Sequence, residues 1–150
     1  LAVVIGRYCS RVSEAEAMNF VLGYTIANDV TARDFQREDG IFTRGKGFDS
    51  FCPLGPWIVK TQDLAPRRIQ CWVNQELRQD SSTEDVLFGI PRLISFVSNI
   101  MSLLPGDVIA TGTPSGVGPI QDGDKIRIEI EGVGTLENPV INREDRCSLS

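Results

Sequence analysis

The hydrophobic positions of this chain follow distinct rhythms, and each predicts an element. The opening run LAVVIG, residues 1–6, is continuously apolar and predicts a buried strand that stops at Gly6. In SEAEAMNFV, Ser13 stands as an N-cap before two glutamates of a first turn, which predicts a short helix. LGYTIAND, residues 22–29, returns to strand; residues 31–36 suit a single helical turn, and residues 37–56 read as a long irregular loop. That loop carries Phe42, Phe48 and Phe51, which argues against disorder. WIVK and IQCWVN predict strands, the second with Ile69, Cys71 and Val73 on one face and Gln70, Trp72 and Asn74 on the other. A hairpin turns near Asn74–Gln75.

The longest predicted helix is IPRLISFVSNIMSLL, residues 90–104. Pro91 sits in its first turn, and positions 93, 94, 97, 100, 101 and 104 form an apolar face. PGD at 105–107 has the order of a type II turn, and it leads into the strand DVIATG and the glycine-rich TGTPSGVGP. DKIRIEIEG alternates cleanly across 124–131, and GTLENPVI closes the series before a polar tail. Many strands with two main helices predict a β-rich α+β domain.

Composition narrows the function classes. The 150 residues suit one domain, and the net charge of −5 provides no footprint for nucleic acid or an anionic membrane. No apolar run approaches the roughly 18 residues of a membrane span. The apolar start lacks the basic leader of a signal peptide, and Leu1 stands inside a strand, so the protein is expected to extend further upstream. Cys9, Cys52, Cys71 and Cys147 form no C-x-x-C pair, which points to free thiols in a reducing cytosol. The sequence contains 0 histidines, which excludes Ser-His and Cys-His triads within it and argues against Cys/His zinc. Acid–base chemistry here must rest on carboxylates, lysine, tyrosine or bound water.

Three stretches combine polar side chains with backbone suited to a site: Asn28–Asp29 with Arg33 and Gln36, Lys46 within TRGKGFDSF, and TGTPSGVG at 111–118. Asp29 at a strand end either caps the following turn or meets a cation, and that cation is Arg33, Lys46 or a metal ion. Arg33 and Asp34 alternatively form a solvated pair, and Lys46 between two glycines is either an exposed loop residue or a group that meets a ligand. TGTPSGVG lacks the lysine and spacing of a phosphate-binding loop, which argues against a nucleotide, and a tight turn between strands would also account for it.

Taken together, NDVTARDFQ, GKGFDSFCPLGPW, NQELRQD and PGDVIATGTPSGVGP resemble, in order and spacing, the C-terminal catalytic domain of the fumarylacetoacetate hydrolase family. The resemblance covers residues 1–141, with 142–150 left as a solvated tail, and it implies a mixed β-sandwich roll. It implies Mg²⁺ or Mn²⁺ held by three carboxylates. Asp29 matches one, and two glutamates would fall just before Leu1. Arg33, Gln36, Gly112 and Thr113 match substrate-binding positions, Lys46 matches a catalytic lysine, and Ser50 falls where some relatives place a threonine near the ion. The family's hydrolases also use a histidine from an N-terminal lid, which this sequence does not contain. A 2-oxo acid would then chelate the ion and react through an enolate.

The favoured reaction is isomerisation of a 2-hydroxy-dienoic diacid in aromatic-acid catabolism. Acylpyruvate hydrolysis and oxaloacetate decarboxylation are alternatives, and a metal-free binding module is the rival from outside the enzymes. The family also implies a homodimer.

Overall fold

Two antiparallel four-stranded sheets account for most of the alternating sequence. The computed structural model describes residues 1–60 and 65–142. The first sheet has the order β3-β2-β1-β6, from β1 (Ala2–Ile5), β2 (Val21–Ala27), β3 (Leu54–Val59) and β6 (Val108–Ala110). The second has the order β5-β4-β7-β8, from β4 (Arg68–Val73), β5 (Glu76–Ser82), β7 (Lys125–Ile130) and β8 (Gly134–Pro139). The short helix α1 (Glu14–Ala17) and the longer α4 (Ile90–Ile100) pack against each other. The fold is the β-rich α+β arrangement that the pattern predicts.

Burial follows the rhythms of the sequence. All four residues of β1 are buried, as a continuous apolar run requires when both faces are covered. Val3 and Ile5 join Tyr24, Ile94 and Leu103 in one core cluster; Ile26 joins Ile126, Ile128, Ile130 and Leu136 in another. In β7 the isoleucines point inward while Lys125, Arg127 and Glu129 stay nearer solvent. Fully burying one such isoleucine contributes about 1.5–3 kcal/mol.

Two predicted stretches differ from the structure. The helix expected over 90–104 stops at Ile100, because Met101 is extended. Backbone bonds between Leu103 and Cys9, of 2.8 and 2.9 Å, draw the chain into a β-bridge. Leu103 is thereby buried, whereas Ile100, Met101 and Leu104, assigned to the apolar face by periodicity, are exposed. The stretch expected to be an irregular loop contains the end of α2 (Arg33–Asp39), all of α3 (Thr43–Lys46) and the start of β3. Phe48 organises it, with ring centroids 5.3 Å from Phe35 and 5.2 Å from Phe51.

The turns obey their local chemistry. Gly106 has φ +95°, and the Asp107 amide donates to the Leu104 carbonyl at 3.0 Å, as a type II turn requires. The β4–β5 hairpin turns at Asn74–Gln75, and Asn74 is fastened to Asp124 and to the Lys125 amide, both at 2.9 Å. Of the tail expected over 142–150, residues 143–150 lie outside the described residues. Among the described residues, Cys9, Cys52 and Cys71 are free thiols, and no helix is long and apolar enough to cross a membrane.

Candidate active site

The first sheet brings two of the candidate stretches to one end. Ala2 in β1 pairs with Thr25 of β2 on one side and with Ala110 of β6 on the other. Asp29 lies two residues past the end of β2, and Gly112 lies two residues past the end of β6. The two stretches therefore flank the beginning of β1, roughly 10 Å apart if each strand spacing is about 4.8 Å. The Thr111 amide and hydroxyl both donate to the Leu1 carbonyl, at 3.1 and 3.0 Å, which ties the β6 side to that end.

The Asp29 side is built by the backbone that follows β2. The Asn28 amide donates to Pro53 and the Val30 amide to Phe51, both at 3.0 Å, so residues 28–30 are held against the segment preceding β3. Among the described residues, the Asp29 carboxylate bonds the ammonium of Lys46 and caps no backbone amide. Asp29 and Lys46 are both partly open to solvent. Of the three cations weighed for this carboxylate, the chain itself supplies Lys46.

Lys46 reaches Asp29 because α3 lies close against α2. The Ala32 amide donates to the Gly45 carbonyl at 2.8 Å. A Cβ at Gly45 would stand 3.0 Å from the Ala32 carbonyl oxygen and 3.2 Å from Gln36 Cβ, so only glycine fits without displacement. Arg44 fastens the same pair of helices, reaching Asp39 Oδ1 at 2.6 Å and Glu38 Oε2 at 2.7 Å while lying over the Phe35 ring. These bonds hold the Asp39 carboxyl below its usual range and push the Arg44 guanidinium up.

Gln36 lies partly buried on this surface, and Arg33 is exposed at the first turn of α2, with no ion-pair partner among the described residues. Ser50 is exposed in the left-handed region, at φ +67°, and its hydroxyl bonds nothing among the described residues.

Thr113 sits on the other flank. The Gln79 side chain donates to Thr113 Oγ1 at 2.8 Å and to the Pro114 carbonyl at 2.9 Å, leaving the threonine hydroxyl hydrogen to donate elsewhere. Gly112 has φ +117°, and Gly116 packs so tightly on β5 that a Cβ would fall 1.8 Å from the Arg78 carbonyl oxygen. Gln79 was not singled out from the sequence, although it lies within NQELRQD, one of the stretches that carry the family resemblance. Gly112 and Thr113 line a cavity of about 260 Å³ that includes neither Asp29 nor Lys46.

A hard dication needs several oxygen ligands. Asp29 supplies an anionic oxygen of the right kind, already matched with a cation in Lys46. Among the described residues no group of three potential metal-binding side chains exists, so this segment fits a metal only to the extent of one ligand.

Comparison with known proteins gives consistent matches. The model of the fumarylacetoacetate hydrolase C-terminal domain matches residues 1–141. A solved structure of 5-carboxymethyl-2-hydroxymuconate delta-isomerase from Mycobacterium smegmatis superposes with a TM-score of 0.91 at 56% identity, covering 93% of this chain and 56% of that one. Oxaloacetate tautomerase YisK of Bacillus subtilis is 47% identical over 93% of this chain and 50% of its own length. Maleylpyruvate hydrolase from Sphingobium sp. SYK-6, solved with manganese(II) and pyruvate, gives a TM-score of 0.85 at 40% identity over 93% of this chain and 52% of that one. The chain thus spans about half the length of these relatives.

Proposed function

Because this chain belongs to the fumarylacetoacetate hydrolase family, we propose that it is the catalytic segment of an enzyme that acts on a small 2-oxo acid through an enolate, with Mg²⁺ or Mn²⁺ as the resident ion. The relatives are enzymes of small molecules, named as isomerase, tautomerase and hydrolase. Movement of a proton beside a carbonyl is the favoured reaction, since the isomerase and the tautomerase are the more similar of the three. Carbon–carbon hydrolysis and decarboxylation pass through the same kind of enolate and are the alternatives.

The observation that carries this reading is the meeting of Asp29 and Lys46 at the end of β2, across β1 from Gly112 and Thr113. In this assignment Arg33 pairs with the substrate carboxylate and Gln36 donates to a substrate oxygen. Lys46 supplies positive charge where the enolate oxygen develops, an effect worth several kcal/mol when prearranged. The Thr113 hydroxyl donates to an oxygen further along the substrate, while Gly112 leaves room for backbone approach. Asp29 would be one ligand of the ion, which when bound polarises the carbonyl as a Lewis acid. Ser50 is a candidate neighbour of the ion.

A panel of 2-oxo acids supplied with Mn²⁺ or Mg²⁺, with enol absorbance and pyruvate release followed separately, tests the assignment. Enol loss without pyruvate identifies an isomerase, and inertness toward the whole panel contradicts an enzyme of 2-oxo acids. The second reading, a binding module, rests on the Lys46 ammonium already neutralising Asp29. We also place the protein in a reducing cytosol as a homodimer. The exposed Leu54, Trp57 and Ile58 on edge strand β3 support a second copy, and light scattering tests it.

A further inference from the structure

The cavity beside Thr113 has a chemistry of its own. Val86, Leu87, Phe88 and Leu93 line the space together with Thr113. Leu87 is 93% exposed and Phe88 54%, so these apolar groups of the lining remain in contact with water. Asp85 lines the same space, and its carboxylate accepts the Ser81 hydroxyl at 2.6 Å and the Ser82 amide at 2.9 Å. Those bonds favour the ionised form and keep the Asp85 carboxyl below its ordinary range. None of the side chains that line the cavity is cationic.

Resting on the function proposed above, we propose that this cavity receives the end of the substrate remote from the 2-oxo acid group, and that it prefers an uncharged apolar tail to one ending in a second carboxylate, in place of the diacid expected from the sequence. Three features combine to give that preference. The cavity is continuous with Thr113, so a substrate that bonds the threonine hydroxyl would extend into it. Apolar contact with Leu87 and Phe88 removes surface from water, a gain that a terminal carboxylate would largely forfeit by losing its own hydration. A second carboxylate would also meet Asp85 as a like charge, with no lysine or arginine in the lining to offset it. The volume, about 260 Å³, lies just below the roughly 300–1,000 Å³ range of drug-sized sites and suits a short tail.

The test compares 2,4-dioxoheptanoate with 2,4-dioxoheptanedioate, which share a chain length and differ only in the terminal carboxylate. The full-length protein is supplied with Mn²⁺, and enol absorbance and pyruvate release are both followed. The monoacid is expected to show a kcat/KM at least about tenfold higher, a modest factor because exposure at Asp85 screens the repulsion. Leu87→Lys places a cation in the lining and should shift that ratio about tenfold toward the diacid, with the melting temperature unchanged since Leu87 is exposed. Asp85→Asn should shift it in the same direction. Equal use of the two acids, preference for the diacid, or a ratio that neither variant moves would overturn this inference while leaving the enzyme assignment standing. Inertness toward both acids with turnover of another 2-oxo acid would overturn this inference alone, and inertness toward the whole panel of 2-oxo acids would overturn the two together.

Discussion

The ammonium of Lys46 lies against the carboxylate of Asp29, although 17 residues of helix and turn separate them. The contact depends on the approach of α3 to α2 at Gly45 and on the stitching of residues 28–30 to the segment before β3. It joins two of the groups on which the proposed chemistry relies. Both are partly exposed, so their attraction adds only about 0–1 kcal/mol to folding. Their arrangement therefore matters for chemistry more than for stability.

Replacing Asp29 by Asn should accordingly leave the fold intact and weaken the binding of a dication. Calorimetric titration of the full-length protein with Mn²⁺ is expected to show at least about a tenfold loss of affinity, because a hard cation loses an anionic oxygen. The melting temperature should move by no more than about 2 °C, in keeping with the small worth of the ion pair.

Gln79 acts on substrate through Thr113. Gln79→Leu keeps the strand but removes the donor that fixes the threonine hydroxyl. KM is expected to rise about tenfold with kcat changed less than about threefold, since the group orients a binding contact and does not touch the reacting atoms. Thr113→Ser should retain most of the affinity and Thr113→Val should lose it, a contrast that a purely structural role would not produce.

Gly116→Ala should be strongly destabilising. The new methyl would overlap the Arg78 carbonyl oxygen, and φ at +104° is unfavourable for any residue with a Cβ. A loss of about 2 kcal/mol or more in urea unfolding is expected from the combined overlap and strain, against roughly ±0.5 kcal/mol for an unhindered surface change.

Acid should weaken the fold through Asp80 and Asp124. The Arg68 guanidinium holds the Asp80 carboxyl below its ordinary 3.8, and the bond from Asn74, followed by that from the Gln121 amide, does the same for Asp124. A group with a lowered folded-state pKa contributes fully above its unfolded value and loses that contribution as pH falls through the folded value. Melting temperature should therefore fall as pH drops below about 4, and the double variant Asp80→Asn, Asp124→Asn should show a shallower decline there.

Much of the fold could be read from local pattern because local pattern carried its cause. β7 alternates since one face meets the core, and β1 is uniformly apolar since both of its faces are covered. The turns at Gly106 and Asn74 follow from their own residues. What the pattern missed depended on distant partners. Met101 and Leu104 fit the helical period, yet Leu103 pairs with Cys9 some 90 residues away and straightens the chain. The stretch around Lys46 looks irregular until Phe48 meets Phe35 and Phe51. Local pattern marked Asp29, Lys46 and Thr113 one by one, as polar groups at strand ends and in glycine-rich loops, and only the family resemblance grouped them. Their physical grouping comes from the register of β1 with β2 and β6 and from the approach of α3 to α2, and the presence of Leu87 and Phe88 in the cavity beside Thr113 had no local signal.

Lys46 is assigned the role of stabilising negative charge that develops on a 2-oxo acid, and steady-state kinetics of Lys46→Met in the full-length protein with saturating Mn²⁺ probe that role. kcat should fall by about a hundredfold or more, as on removal of a prearranged electrostatic group, while Mn²⁺ affinity stays within about threefold. Turnover equal to that of the parent protein would contradict it.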